Sequence, residues 1–199
     1  MVVHENTIRD SIIDNRKTSF VEKWKVESSC YLYQHKYLTV RKDSVITQTG
    51  VEIPDFFVIE NPNWVNVIAI TEDGLFIIEQ QYRHGIKQIG FEICAGMVDE
   101  GEQPLLAAQR ELLEETGYSG GEWELFMVSS PNPSSMNNIN YTFLARGVSK
   151  SHNSKPEKTE SIKVFLMTSD DVKKLLFGNK IIEGIMQAPL WKYFATIGK

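Results

Sequence analysis

Three glutamates lie close together near the middle of the chain, at spacings that favour chemistry with a metal ion. They are Glu111, Glu114 and Glu115, and Arg110 directly precedes them. On a helix, Glu111 and Glu115 are one turn apart and share a face. Carboxylates grouped in this way suit Mg²⁺ or Mn²⁺, which bind oxygen ligands and substrate phosphates together. The alternative interpretation is a solvated helix face on which Arg110 and Glu114 form an ion pair.

The helix that would carry these glutamates is predicted from Pro104 to Thr116. Proline suits the first turn of a helix, because the N–H that it lacks has no partner there. Leu105, Ala108 and Leu112 form one apolar stripe, which predicts the face toward the core. Gly117 follows at the position of a left-handed C-cap. The sequence therefore predicts an acidic helix packed against a protein core.

The overall charge of the chain limits what such a helix can bind. The 199 residues include 21 Lys plus Arg and 26 Asp plus Glu, a formal net charge of −5. A nucleic-acid-binding protein needs a surplus of basic residues, so no nucleic-acid partner is predicted. A phosphate-bearing substrate would instead be attracted by a bound metal ion.

Strand-forming residues dominate the first part of the chain. About three antiparallel strands are predicted between Trp24 and Glu60, with a hairpin turn at Gly50. Asn61-Pro62-Asn63 then interrupts the pattern. The prediction is an N-terminal β-subdomain over residues 1–60 and a second domain over residues 61–199.

The second domain alternates strands with helices. Strands are predicted at Val65–Ile70, Leu75–Gln81, Trp123–Val128, Tyr141–Ala145 and Ile162–Met167, with another ending near Ile93. Two helices follow the last strand, one from Ser169 to Gly178 and one from Ile181 to Ile197 with a break or restart at Pro189. This pattern predicts an α/β fold in which helices cover a mixed sheet.

The chain carries no pattern typical of secretion or membrane insertion. Its N-terminus lacks a basic flank followed by an apolar run, and no window approaches a membrane-spanning length. The two cysteines, Cys30 and Cys94, match no zinc motif and are predicted to be buried free thiols in a reducing compartment. A cytoplasmic protein without a membrane partner is expected.

The segment from Gly96 to Tyr118 resembles the Nudix box, G-x5-E-x7-R-E-U-x-E-E-x-G-U, where U is a bulky aliphatic residue. Its fixed positions are occupied by Gly96, Glu102, Arg110, Glu111, Glu114, Glu115 and Gly117. Leu112 fills the first U, whereas Tyr118 departs from the second. Seven such matches arise by chance at roughly 10⁻⁸ per register. The resemblance implies a Nudix α/β/α sandwich and a pyrophosphohydrolase that uses Mg²⁺ or Mn²⁺.

Flanking residues resemble the ADP-ribose pyrophosphatase branch of that family. Gln80-Gln81-Tyr82-Arg83 is similar to its Q-Y-R element, and Glu92 to Gly96 is similar to E-x-P-A-G, with Cys94 at the proline position. Pro133 lies 15 residues beyond the box, near the spacing of a proline that marks this branch. Asn137 and Asn138 stand where the branch often carries glutamate, which leaves the sugar nucleotide open.

The resemblance implies hydrolysis of ADP-ribose to AMP and ribose 5-phosphate. Another nucleotide sugar, such as GDP-mannose, is the alternative substrate. A Nudix domain that senses a sugar nucleotide without cleaving it is the alternative from another class. Because relatives in this branch pair through their N-terminal region, a homodimer is also implied.

Roles for the box residues follow from the resemblance. Glu111 and Glu115 are expected as direct metal ligands, together with the main-chain carbonyl of Ala95. Glu114 is expected as a third ligand or to act through a metal-bound water. Arg110 is expected to orient a box glutamate. Glu102 has two open roles, supporting the metal ligands or stabilising the start of the helix.

Roles outside the box are also implied by the resemblance. Arg83 is expected to clamp the diphosphate, or else to form a surface ion pair. Glu92 is expected to contact metal, substrate or Arg83, and Pro133 to lie in the substrate-binding region. The general base is expected on the loop from His152 to Glu160, with Glu160 preferred and Glu157 as the alternative.

Overall fold

Two compact units make up the chain. The computed structural model describes residues 21–35, 37–153 and 161–197. One unit comprises Met1–Asn61 and Asn132–Asn137, and the other comprises Pro62–Pro131 and Asn138–Lys199. Among the described helices, none is long and apolar enough to cross a lipid bilayer.

The N-terminal unit contains a three-stranded antiparallel sheet, as predicted. Its strands β1 (Lys25–His35), β2 (Leu38–Ile46) and β3 (Glu52–Glu60) follow one another in space as in sequence. Gly50 lies in the turn between β2 and β3 with φ of 82°, a value that favours glycine. Every residue of β1 is exposed, so this strand contributes little to a core within its own unit.

The second unit is built on a mixed sheet. Its strands are β4 (Trp64–Thr71), β5 (Phe76–Arg83), β6 (Gln88–Glu92), β7 (Cys94–Met97), β8 (Tyr118–Ser119), β9 (Glu122–Ser129), β10 (Asn140–Lys150) and β11 (Lys163–Met167). Strand order is β11-β5-β4-β10-β8, while β6 pairs with β5, β7 with β4 and β9 with β10. Strands β4 and β10 are parallel. The mixed sheet predicted from the sequence is confirmed.

Three helical regions accompany this sheet. They are α1 (Pro104–Glu111), which continues as a π-helical segment over Leu112–Thr116, α2 (Ser169–Phe177) and α3 (Gly184–Thr196). The predicted break at Pro189 is wrong, because α3 runs through this proline. Pro189 and Leu190 are both buried in α3, and their packing offsets the single backbone hydrogen bond that proline removes.

Helices cover both faces of the central strand. Val65 to Ile70 on β4 are all buried, which requires packing partners on each side. Ile68 and Ile70 belong to an apolar cluster with Leu176 of α2 and Leu190 of α3. Helix α1 contacts β4, β7 and β10. The predicted α/β/α sandwich is confirmed, and α1 is the layer that brings the glutamates to the sheet.

Candidate active site

The acidic helix ends in a wider turn than the sequence predicted. Helical structure extends from Pro104 to Thr116 as expected, but its last five residues are π-helical. Such insertions are frequent at functional sites, because they change the direction in which neighbouring side chains point. Glu115 is buried, whereas the Glu114 side chain is about half exposed. Leu105 was predicted in the core stripe, but it is exposed, and Ala107 is buried instead.

A cavity of about 670 Å³ collects the predicted residues in the second unit. Those that line it are Arg83, Glu92, Ala95, Arg110, Glu111, Glu114 and Glu115. Apolar side chains from the segment before α3 and from its first turn complete the wall, including Ile182 and Ile185. Its volume suits a small organic ligand. The tertiary structure thus places three of the four Nudix-box glutamates and the Q-Y-R arginine on one surface.

Arg110 holds the box glutamates in place. Its Nε and Nη2 donate to the two carboxylate oxygens of Glu102, at 3.1 and 2.9 Å. Its Nη1 donates to Oε1 of Glu111 at 2.8 Å and, more distantly, to Oε2 of Glu114 at 3.4 Å. These bonds raise the pKa of Arg110, with the Glu102 bond contributing most. Arg110 therefore orients Glu111. Its ion pair with Glu114, the alternative considered from the sequence, is only one of its contacts.

Glu102 anchors the loop before α1. Besides pairing with Arg110, it accepts a hydrogen bond from the Asp99 backbone N–H at 3.1 Å. The hydrogen bond from Arg110 is the main reason that the pKa of Glu102 lies below its ordinary value. Glu102 does not line the cavity described above. Of the two roles left open for Glu102, stabilising the loop and the start of the helix is the one that these contacts support.

Gly96 leaves room for the carboxylate of Glu111. A Cβ at this position would overlap the Glu111 carboxyl group. Gly96 lies on β7, and its φ is not in the left-handed region. Gly117, in contrast, caps the π-helical segment with φ of 76°, as predicted. The two box glycines therefore serve different physical purposes.

Arg83 and Glu92 form a bidentate ion pair. Arg83 donates from Nε and Nη2 to the two oxygens of Glu92, at 2.8 and 2.5 Å. Gln81 also donates to Oε2 of Glu92, at 3.1 Å. Antiparallel pairing of β5 with β6 brings these residues together. Burial alone would lower the pKa of Arg83, but the bond and charge of Glu92 outweigh it and raise this pKa. Of the contacts considered for Glu92, the one with Arg83 is observed.

A second carboxylate lies behind Glu115, which sequence reasoning missed. Glu79 on β5 is fully buried, and Cys94 is equally buried. One potential ligand atom from each of Glu79, Cys94 and Glu115 lies within 4.8 Å of the others. Burial first, and then the charge of Glu115, raises the pKa of Glu79 well above its ordinary value. The available signal was an acidic residue directly after the apolar residues Phe76-Ile77-Ile78 of β5.

Glu183 is another cavity residue that the sequence did not indicate. It precedes α3 and lines the cavity together with Arg83 and Glu92. Its pKa is raised, mainly by burial, against the opposing effect of Arg83. Nothing in the local pattern distinguishes Glu183 from an ordinary helix-flanking glutamate. Its position at the cavity is visible only in the tertiary structure, where the residue before α3 lies beside Arg83 and Glu92.

Pro133 does not line this cavity, and the two candidates for the general base fall outside the residues that the structure describes. Pro133 belongs to the segment Asn132–Asn137 of the N-terminal unit and is not among the residues that line the cavity. Glu160 and its alternative Glu157 fall outside the described residues. Cys94 is buried as predicted, but Cys30 is exposed on β1, so the prediction of two buried thiols is wrong for Cys30.

The buried carboxyl of Glu79 predicts a distinct pH dependence of stability in the metal-free protein. Its folded-state pKa exceeds the unfolded value, so its stabilising contribution is full below about pH 4.3 and is lost as pH rises toward the folded pKa. Glu79→Gln removes this titration. We expect the variant to exceed the wild type in unfolding free energy by about 1–3 kcal/mol at about pH 8, and by less at about pH 5.

Chemical denaturation in chelator-treated buffer at the two pH values measures this difference. Glu122→Gln is the matched control, because Glu122 is exposed on β9 and has no part in the buried cluster. A wild type whose stability rises relative to Glu79→Gln between these pH values would contradict the prediction.

Comparison with known proteins agrees with this geometry. The NUDIX domain family matches residues 61–187, and the nucleoside diphosphate sugar hydrolase N-terminal domain family matches residues 24–59. Because the first match covers more than half of the chain, the chain belongs to the Nudix family. It is a Nudix hydrolase.

Two relatives and one solved structure illustrate this membership. A methanol dehydrogenase activator from Bacillus methanolicus is 30% identical over 127 residues, covering 63% of this chain and 69% of that protein. An ADP-ribose pyrophosphatase from Bacillus subtilis (strain 168) is 29% identical with the same coverage. A crystal structure of an ADP compounds hydrolase has a TM-score of 0.76 at 18% identity and covers 91% of this chain and 99% of that one. At that identity the structural likeness shows the fold.

Proposed function

We propose that this protein hydrolyses the diphosphate bridge of a nucleoside diphosphate sugar with the help of Mg²⁺ or Mn²⁺. The favoured substrate is ADP-ribose, which would give AMP and ribose 5-phosphate. The observation that carries the proposal is one cavity lined by Glu111, Glu114 and Glu115 and by the guanidinium group of Arg83. Carboxylates there suit the metal, and the guanidinium group suits the phosphates.

The residues of the cavity fit a hard divalent cation. Glu111, Glu114 and Glu115 offer oxygen donors, and Ala95 lies beside them with a main-chain carbonyl. The Ala95 N–H donates to Oε2 of Glu115 at 3.2 Å, which ties this backbone to the helix. In the proposal, Glu111, Glu115 and the Ala95 carbonyl hold the ion, and Glu114 serves as a third ligand or acts through a bound water. The ion would neutralise phosphate charge and lower the pKa of a bound water.

Arg83 is proposed to bind the diphosphate while remaining attached to Glu92. Nη1 takes no part in the two bonds to Glu92. Gln81 and Glu92 keep the guanidinium plane in a fixed orientation, which reduces the entropy lost when an anion binds. Arg110 is proposed to act indirectly, by holding Glu111 and Glu114 at the cavity wall.

The choice of substrate class rests on the comparisons. Relatives from Bacillus subtilis and Mycobacterium tuberculosis carry the name ADP-ribose pyrophosphatase, the latter being 30% identical over 122 residues. The family matched by residues 24–59 is described as belonging to nucleoside diphosphate sugar hydrolases. Both descriptions concern substrates with a diphosphate between a nucleoside and a sugar, which supports that class here.

A panel of nucleoside diphosphate sugars tests the proposal. The purified protein is incubated with ADP-ribose, GDP-mannose or UDP-glucose and Mg²⁺, and a phosphatase then converts monophosphate products to inorganic phosphate. We expect release to be fastest with ADP-ribose and to stop when the metal is chelated. Faster phosphate release from GDP-mannose than from ADP-ribose would make GDP-mannose the favoured substrate. No release from any member with Mg²⁺ or Mn²⁺, despite ligand binding, would indicate a sensor and contradict hydrolysis.

Glu160 is proposed as the general base, on the resemblance that indicated its loop. Glu160→Gln keeps the size of the side chain but cannot accept a proton at neutral pH. We expect kcat for ADP-ribose to fall about 10²-fold with little change in KM. Glu157→Gln is the matched control on the same segment. Near-normal turnover of Glu160→Gln together with a large loss in Glu157→Gln would transfer the role to Glu157.

A homodimer formed through the N-terminal sheet is also proposed. Large apolar side chains are exposed on β1 and β2, including Tyr31, Leu32, Tyr33 and Leu38. A second copy would remove this surface from water. Light scattering after size-exclusion chromatography should give twice the chain mass. Tyr31→Glu with Tyr33→Glu should give the monomer, and a wild type that is already monomeric at micromolar concentration would contradict the proposal.

A further inference from the structure

We propose that Glu79, Cys94 and Glu115 form a binding site for a thiophilic divalent cation such as Zn²⁺ or Cd²⁺. The three residues come from β5, β7 and the π-helical segment. This soft-metal cluster differs from the proposed Mg²⁺ site because it contains a sulfur ligand and because Glu79 and Cys94 do not line the cavity.

Burial of Glu79 is the first observation behind this site. Its side chain is completely buried, and neither of its oxygens receives a hydrogen bond from the described backbone or side chains. One carboxylate oxygen of Glu115 lies within 4.8 Å of one of the Glu79 oxygens. Buried carboxylates are normally paired with a cation or with several donors. Glu79 therefore has coordination capacity that the surrounding protein leaves unused.

Geometry is the second observation. One carboxylate oxygen from each glutamate and the Cys94 Sγ all lie within 4.8 Å of one another. Ligand atoms around a tetrahedral zinc ion are about 3.5 Å apart. Binding would therefore bring the ligand atoms together by no more than about 1.3 Å, which rotation of the two carboxylates can provide. Cadmium, which is larger, requires less contraction.

The ligand set determines which cations can bind. A thiolate with two carboxylates favours Zn²⁺ or Cd²⁺ over Mg²⁺, which prefers oxygen ligands and retains its waters. Glu115 lines the cavity, whereas Glu79 and Cys94 are buried and do not, so the proposal has the cation enter from the cavity by way of Glu115. As the cation binds, the Cys94 thiol proton and the proton held by the Glu79 carboxyl both pass to the buffer.

Charge-transfer absorption of bound Cd²⁺ tests the site without using enzymatic activity. Metal-free, tag-free protein is titrated with Cd²⁺ alone in a buffer without thiol reductants, and the ultraviolet thiolate-to-cadmium band is recorded. The chain contains two cysteines, so Cys30→Ser is the matched control for Cys94→Ser. We expect the band to saturate at one Cd²⁺ per chain in the wild type and in Cys30→Ser, and to be absent in Cys94→Ser. A band that persists in Cys94→Ser and disappears in Cys30→Ser would overturn the proposal, as would a folded wild type without a band.

Glu79→Gln supplies an independent test that leaves both thiols intact. The amide keeps the shape of the side chain but is a poor cation ligand. We expect its Cd²⁺ affinity to fall at least about tenfold, with the far-ultraviolet circular dichroism unchanged. Cd²⁺ affinity equal to that of the wild type would remove Glu79 from the ligand set and overturn the three-residue site. Because these measurements need no substrate, failure to hydrolyse nucleotide sugars would leave them interpretable.

Discussion

Glu115→Gln is expected to lower kcat/KM for a nucleotide sugar by about 10³-fold or more at saturating Mg²⁺ for the wild type. Glu115 is the one box carboxylate that is both buried and present at the cavity wall. Its Oε2 also accepts the Ala95 N–H, so it connects two proposed ligands. Replacing a charged oxygen ligand by an amide removes several kcal/mol of metal-dependent stabilisation of the transition state.

Measurements of thermal unfolding and of metal binding distinguish the loss of a metal ligand in Glu115→Gln from a general loss of folded protein. Gln at position 115 removes one charge from the buried pair with Glu79, so the metal-free variant should be at least as stable as the wild type in thermal unfolding. Electron paramagnetic resonance of added Mn²⁺ should show weaker binding in Glu115→Gln and wild-type binding in the exposed control Glu122→Gln. Turnover of Glu115→Gln within about threefold of the wild type would exclude Glu115 as an essential ligand.

Gly96→Ala is expected to reduce turnover by about 10²-fold while leaving the fold intact. The added methyl group would overlap the Glu111 carboxyl group, which is the far end of a flexible side chain and can move aside. Displacement would also break its 2.8 Å bond from Arg110. A shift of about 1 Å in a catalytic group commonly costs about this factor. The expected loss thus arises from a misplaced metal ligand and not from backbone strain.

A second glycine substitution provides the control. Gly184 opens α3, and a Cβ there meets no atom within 4 Å. We expect Gly184→Ala to retain wild-type turnover and Mn²⁺ affinity, whereas Gly96→Ala loses affinity for Mn²⁺. Thermal unfolding should show both variants folded at the assay temperature. Equal Mn²⁺ affinity in Gly96→Ala and the wild type would show that Glu111 tolerates the methyl group, against the steric argument.

Local patterns predicted the acidic helix and most of the strands correctly. Pro104 and Gly117 mark the two ends of the helical region because proline and glycine have backbone constraints that act within a few residues. Patterning failed at Leu105, which is exposed, and at Pro189, which lies inside α3. At Leu105 the neighbouring helical residues, including Ala107, fill the core instead. At Pro189 burial compensates for the lost hydrogen bond.

The spacing of glycine, arginine and glutamates within one short segment was enough to indicate metal-assisted phosphate chemistry and the Nudix family. Only the tertiary structure showed which contact Glu92 makes, a bidentate ion pair with Arg83. It also showed that Glu79 and Cys94 lie close to Glu115 and that Glu183 lines the cavity. These contacts join residues on different strands and helices, and the register of β5 with β6 sets the first of them. A one-dimensional pattern records how residues recur along one element, but it does not record which elements pack together.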